Sequence, residues 1–413
     1  MQYLRKTLWV IGLVILLELL KKLFDRVFNE AMLFHHNLLT SVQVILMLWL
    51  ILTLLSEWIF KKTPPRKIAR NVFLILLCGI AVPEMACTYL LHHPSRIPTF
   101  LVPSFRRYYD GMQRNIIQFN PGCSVYDSSL FYTLKPSSQF VFNNYEFADS
   151  FTTNIMGLRD DNASLVKPEI ICLGDSYAMG WGVGQQETFA KELSSLSGKK
   201  VLNAAIASYG TVRELKNLYR LDTSNLQYLV IQYCRNDFEE NEEFVQQNYS
   251  LKISPEKVYA SAVNKHYWSK LYFPGKNFIT LCKIAAGKKV TDLRAGSSKP
   301  GVDSSSFQLK QAASNFVNIL LHSAINFSKC KVFVVDLNER ASMNNDFLNE
   351  VKSLAGSSFY KDHFSNHLTT VRTADILTKN DYYILDDHLR ASGHRKIAVR
   401  LARYMLSQNQ VTH

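Results

Sequence analysis

Serine, histidine, carboxylate and amide side chains stand at the ends of buried-looking segments of this 413-residue chain, and together they could carry out acyl transfer. Ser176 follows the apolar run Ile170-Ile171-Cys172-Leu173 and the turn Gly174-Asp175. A serine so placed is a candidate nucleophile if a base takes its proton and a carboxylate orients that base. His388 is the candidate base, in Leu385-Asp386-Asp387-His388, with two carboxylates beside it. The loop 203–210, containing Asn203, Ser208 and Gly210, could supply a backbone N–H to an oxyanion, and Asn236 a side-chain amide. His394 reads as a structural or capping residue. Taken alone, Asp175-Ser176 fits a plain turn and N-cap equally well. Chemistry requires that all these segments meet.

The elements that must bring them together alternate from Pro168 onward, as expected for a parallel sheet flanked by helices. Ile170–Leu173 reads as a buried first strand, 200–203 as the second, 228–232 as the third and 331–335 as a later one. Helices are expected at 187–196, 211–219, 307–326 and 393–406. Ser176, the 203–210 loop and Asn236 then fall at carboxyl ends of consecutive strands, the edge where open α/β sheets place their ligands. The rhythm breaks at about 238–306. There 239–243 reads as a solvated acidic run, 267–286 as an aromatic, basic segment that forms a lid or rests on a membrane, and 296–306 as a Gly/Ser-rich linker.

The first hundred residues are richer in Leu, Ile and Val than the rest. Segments 42–60 and 71–91 reach the roughly 20 residues that cross a bilayer, and 7–20 either spans or lies in the interface. The connecting Lys61-Lys62-Thr63-Pro64-Pro65-Arg66-Lys67 marks a cytoplasmic loop, so the chain beyond about 92 is expected outside the cytoplasm. The formal charge of +13 is partly this topology signal: residues 1–70 carry an excess of six positive charges. No basic, aromatic-interleaved patch points to nucleic acid. Seven cysteines show no metal-ligand spacing, so neither metal nor cofactor is expected. Cys123, Cys282 and Cys330 could pair in an oxidising compartment. Residues 93–167 read as a β-containing stalk or collar, with short strands at 138–143 and 145–147.

The order of these segments resembles the SGNH, or GDSL-type, hydrolase family. The matching blocks are Gly174-Asp175-Ser176, the loop from Asn203 to Gly210, Arg235-Asn236-Asp237 and Asp386-Asp387-His388. Tyr132-Thr133-Leu134-Lys135-Pro136 and Gly157-Leu158-Arg159-Asp160 resemble the lead-in of membrane-anchored bacterial members. The resemblance covers roughly 168–413 and implies a flavodoxin-like three-layer α/β fold and a serine acyl-enzyme. It implies Ser176 as nucleophile and oxyanion donor, Asn236 as amide donor and His388 as base. Two positions depart from the family pattern. Ser208 stands where glycine is usual, leaving Ser208 or Gly210 as donor. Leu385 stands where many members have the carboxylate, so the resemblance favours Asp386 with Asp387 as the reserve.

The reading is a membrane anchor over 1–92, a collar over 93–167 and a hydrolase-like domain over 168–413 with an insertion at about 238–306. The expected activity is an extracytoplasmic esterase or acyltransferase acting on an acylated glycan or lipid, next to the bilayer and with a possible envelope-biosynthesis partner. A catalytically silent glycan-binding or scaffold module and a lipase or lysophospholipase are the alternatives.

Overall fold

The computed structural model describes residues 75–295, 302–339, 344–364 and 367–410, with a few isolated positions before 75. The apolar segments 7–20 and 42–60 lie outside the described residues. Helix α1 (Val82–His92) and helix α2 (Val102–Tyr108) come first, then two antiparallel hairpins: β1 (Ser124–Asp127) with β2 (Phe131–Leu134), and β3 (Gln139–Asn143) with β4 (Ala148–Thr152). The expected strand at 145–147 is instead the hairpin turn.

The core then alternates: β5 (Ile170–Leu173), α3 (Ser176–Met179), α4 (Phe189–Ser197), β6 (Val201–Asn203), α5 (Thr211–Leu218) and β7 (Tyr228–Tyr233). Three helices follow, α6 (Asp237–Gln246), α7 (Glu256–Lys270) and α8 (Lys276–Ala295). The alternation resumes with α9 (Val302–Leu321), β8 (Lys331–Asp336), α10 (Asp346–Ala355), α11 (Lys361–Phe364), β9 (Leu368–Val371) and α12 (Ala391–Gln410). The stretch read as a linker over 296–306 therefore ends in helix, because α9 begins at Val302. The acidic run at 239–243 is likewise part of a helix, and Glu240 pairs with Arg213.

Strands β6-β5-β7-β8-β9 form one parallel sheet. Its order, 2-1-3-4-5 by position in the sheet, is flavodoxin-like, and its switch point lies between β5 and β7. Alternation along β5 explains the layers. Ile170 and Cys172 join Phe189, Leu193, Ile397 and Leu401 of α4 and α12 on one face. Ile171 and Leu173 join Val212, Leu215, Phe316 and Phe347 of α5, α9 and α10 on the other. Burial on both faces is why these strands are continuously apolar rather than alternating. Strand β9, Leu-Thr-Thr-Val, lacks that apolar density and gave no such signal in the sequence.

A third apolar cluster joins α1, α2 and α8 to the loop before His388: Leu91, Ile97, Phe105, Tyr108, Tyr109, Leu281 and Leu385. Glu84 and Thr88 of α1 are buried too, and Glu84 accepts from the N–H groups of Asn277 and Phe278 at the start of α8. The carboxyl-terminal part of segment 71–91 thus packs on protein. Among the described residues no helix is long and apolar enough to cross a membrane. Among the described residues the cysteines form no disulfide.

Candidate active site

Gly174 ends β5 because no larger residue fits: a Cβ there would lie 2.5 Å from Gln232 Oε1 and 2.6 Å from the Ala178 Cβ. Gln232, buried in β7, accepts from the N–H groups of Asp175 and Ala178 at 3.0 and 3.2 Å. Asp175 caps α3, its Oδ1 accepting from the Tyr177 N–H at 2.9 Å. Ser176 is thereby held at the rim of a cavity of about 490 Å³ at the carboxyl edge of the sheet. The lead-in residues brace the same turn from behind. Arg159, fully buried, donates to the carbonyls of Met179, Gly180 and Val183. Asn203 donates to the carbonyls of Ala178 and Met179, and its N–H goes to Asp160.

Ser176 Oγ lies 2.8 Å from His388 Nε2, and His388 Nδ1 lies 2.5 Å from Asp386 Oδ1. The Tyr177 ring rests on the imidazole, with centroids 4.7 Å apart, and restricts its orientation. Burial alone would raise the Asp386 carboxyl. The His388 charge and hydrogen bond, with Arg114 and Tyr109, outweigh burial and hold it below the ordinary carboxylate range. Asp387 is turned elsewhere. Its backbone is left-handed (φ +66°), its carboxylate faces Arg106 at 3.8 Å, and its carbonyl accepts from the Tyr177 hydroxyl.

Asn236 and Ser208 line the same cavity as Ser176; Gly210 is not among the lining residues and forms the N-cap of α5. Asn236 Nδ2 donates to Asp175 Oδ2 at 3.3 Å, which fixes the amide and leaves its second hydrogen for a ligand. Ser208 adopts φ +60°, the conformation that explains why glycine is common there in the resembled family. Two partners hold it: Arg213 donates to its carbonyl at 2.9 Å and Gln118 to its hydroxyl at 3.0 Å. The backbone N–H groups of Ser176 and Ser208 take no acceptor among the described residues. Both are available to an oxyanion.

His394 is buried away from the cavity, where its Nδ1 accepts from the Phe189 N–H at the start of α4. Segment 267–286 does not line the cavity, so the lid expectation is not met: α7 and α8 pack instead toward α1, α2 and the collar. Arg114, Gln118, Tyr109, Glu146, Trp181 and Asn338 surround the site without having been singled out from the sequence. They are scattered singly through the chain, in no recognisable spacing. Among the described residues no group of three or more His, Cys, Asp or Glu side chains could hold a metal ion.

No family model and no curated protein matches the chain. Among solved structures it is similar to a protein from Desulfitobacterium hafniense DCB-2 assigned to the G-D-S-L lipolytic family, with 10% identity, 57% of this chain and 97% of that one covered, and a TM-score of 0.27. A carbohydrate esterase whose active site has divergent catalytic and non-catalytic binding functions matches at 12% identity over 58% of this chain and 68% of its own, with a TM-score of 0.34. The lipase Lip_vut3 from a goat rumen metagenome matches at 13% identity over 56% and 94%, with a TM-score of 0.27. At these TM-scores the overlays bear no functional weight. The site geometry does.

Proposed function

We propose that this chain is an SGNH-type serine esterase or O-acyltransferase, membrane-anchored with its catalytic domain outside the cytoplasm, acting on ester-linked acyl groups of a hydroxyl-rich glycan. The observation that carries the reading is the unbroken line Ser176 Oγ, His388 Nε2, His388 Nδ1, Asp386 Oδ1, facing three donors across one cavity. Ser176 Oγ attacks the ester carbonyl carbon as its proton passes to His388 Nε2, and Asp386 stabilises the imidazolium. The oxyanion sits among the N–H groups of Ser176 and Ser208 and the Asn236 amide. As the C–O bond breaks, His388 returns the proton to the leaving alcohol. Water or a second sugar hydroxyl then gives its proton to His388 and releases the acyl group from Ser176.

A polar acceptor is favoured over a lipid by the cavity wall, which includes Arg114, Arg235, Asp110, Glu339, Gln118 and Asn338. The membrane placement rests on the apolar segment 42–60, on the basic loop that follows it and on an aromatic stretch leading into α8. Tyr267, Trp268 and Phe273 are exposed there, while their neighbour Tyr272 bonds Glu84. Exposed Cys282 offers a topology test: in intact cells a membrane-impermeant maleimide labels it under this reading, and protection of Cys282 argues for the opposite side.

The chemistry is tested by reacting the full-length protein with a fluorophosphonate, beside Ser176→Ala and His388→Ala. Labelling of wild type alone is the expected result. A folded wild-type protein that takes no label would point instead to a silent binding module.

A further inference from the structure

The segment preceding the core domain reaches into the triad. Tyr109, immediately after α2, is fully buried and its hydroxyl donates to Asp386 Oδ2. Trp181 Nε1 approaches the same oxygen at 3.3 Å, while Oδ1 is committed to His388. Rotation of the carboxylate away from His388 would therefore break contacts on both oxygens. The backbone is pinned as well. Glu146 accepts from the N–H groups of Ile384, Leu385 and Asp386 at 2.8, 2.5 and 2.9 Å, and Arg106 donates twice to the Ile384 carbonyl. Tyr109, Glu146 and Arg106 all belong to 93–167, outside the region that resembles the hydrolase family.

The neighbouring Tyr108 turns to the other side. Its hydroxyl donates to Asn277 Oδ1 of α8, and Asn277 donates through Nδ2 to Thr88 and through its N–H to Glu84. Two adjacent, equally buried tyrosines thus tie α2 to the triad and to α1.

We propose that Tyr109 is a positioning residue for the triad, so that residues 93–167 and the core domain form a single catalytic unit; this rests on the acyl-transfer reading above. The phenol draws charge toward Oδ2 and fixes the carboxylate plane. Without it, Oδ1 carries more charge, the His388 imidazolium is more stable, and the carboxylate samples orientations that release His388. The charged and polar groups around Asp386 and its partner His388 include Trp181, Tyr109, Tyr383, Asp149, Arg114 with its partner Asp110, Glu146 on the backbone side, and Asp175 and His394 toward the imidazole, with Asp387 adjacent in the chain. All except Tyr109 are retained in the variant.

The test compares full-length wild type, Tyr109→Phe and Tyr108→Phe by two measurements. One is the pH dependence of the second-order rate of inactivation by a fluorophosphonate. The other is the pH at which the far-downfield proton resonance of the His388 Nδ1–H to Asp386 bond titrates, which needs no turnover. Tyr109→Phe is expected to react roughly tenfold more slowly, as a loosened catalytic geometry does, and to have its resonance midpoint displaced upward from wild type. Tyr108→Phe is expected to keep the wild-type midpoint. Replacing Tyr109 by 3-fluorotyrosine keeps the shape and strengthens the donor, so its midpoint is expected below wild type even if the phenylalanine variant does not fold. Unchanged midpoints in both Tyr109 variants, or an equal displacement in Tyr108→Phe, would overturn the proposal. A wild type that takes no label faults the acyl-transfer reading, and the resonance midpoints still decide the role of Tyr109.

Discussion

Ser176 Oγ lies 2.8 Å from His388 Nε2 although 212 residues separate the two in the chain. The sheet makes this possible. Ser176 leaves β5, beside the switch point of the sheet, at its carboxyl end, and the loop bearing His388 returns to the same edge just before α12. Asp386, two residues before His388, arrives with it on one rigid loop. The short offset is accommodated because Leu385, not a carboxylate, faces the apolar seam against Tyr108, Tyr109 and Leu91.

The two adjacent carboxylates are expected to separate cleanly. Asp386→Asn presents His388 with an amide and favours the wrong tautomer, so the inactivation rate with a fluorophosphonate should fall by roughly 10³–10⁴-fold. Asp387→Asn weakens a 3.8 Å pairing with Arg106, keeps the backbone carbonyl that takes the Tyr177 hydroxyl, and should leave the rate close to wild type. Equal losses would show that Asp387 shares the orienting role.

Ser208 tests how the left-handed turn is tolerated. Ser208→Gly relieves about 1 kcal/mol of strain and forfeits a Gln118 hydrogen bond of about 1 kcal/mol. Denaturant unfolding should therefore shift little, with labelling retained through the unchanged backbone N–H. Ser208→Val places a β-branched residue at φ +60° and should lose both stability and labelling.

Glu214 of α5 is buried, and neither carboxylate oxygen has a hydrogen-bond partner among the described residues. Burial, reinforced by Asp237 and Asp175, pushes its carboxyl well above the ordinary value. The unfolded chain ionises near pH 4.3, so the folded state binds the extra proton above that pH. Stability is thus lost as pH rises through and beyond the unfolded value. Glu214→Gln should flatten this loss, with a higher unfolding midpoint at pH 8 than wild type and little difference at pH 4.

His394 gives the opposite limb. Burial first, then the positive charges of Arg159 and His388, lower its pKa to about 3. The unfolded histidine takes up its proton near pH 6.5, so stability present above that pH is lost as pH falls toward about 3. His394→Leu should start less stable, by about 1–3 kcal/mol for the forfeited Phe189 contact, and show a shallower acid limb. Per folded molecule its labelling at pH 8 should match wild type.

The sequence by itself determined the layered core and which segments end at its carboxyl edge. Ile170-Ile171-Cys172-Leu173 and its counterparts are apolar on both faces, and a strand of that kind is stable only inside an α/β sandwich. Polar residues immediately after such strands have to emerge at one edge, which is why Ser176, the 203–210 loop and Asn236 could be named as neighbours, whereas His388 was legible from its adjacent carboxylates and the family resemblance. The collar resisted the same reading. Its hairpins are short and half-buried, and β9 carries threonines where the other strands carry valine and isoleucine.

Tertiary structure alone decided between alternatives that have identical local sequence. Asp386 and Asp387 are chemically the same and adjacent, and only the left-handed backbone at Asp387 turns one of them to Arg106 and leaves the other on His388. Ser208 and Gly210 both offer an N–H, and only the path of the loop puts Ser208 at the cavity. Tyr108 and Tyr109 are likewise twins in sequence, sent by the helical rotation of about 100° per residue toward Asn277 and Asp386 respectively. Strand and helix periodicity are short-range properties that a pattern of residue types records. Which of two equal side chains meets a partner nearly 280 positions away depends on packing, and no local pattern encodes that.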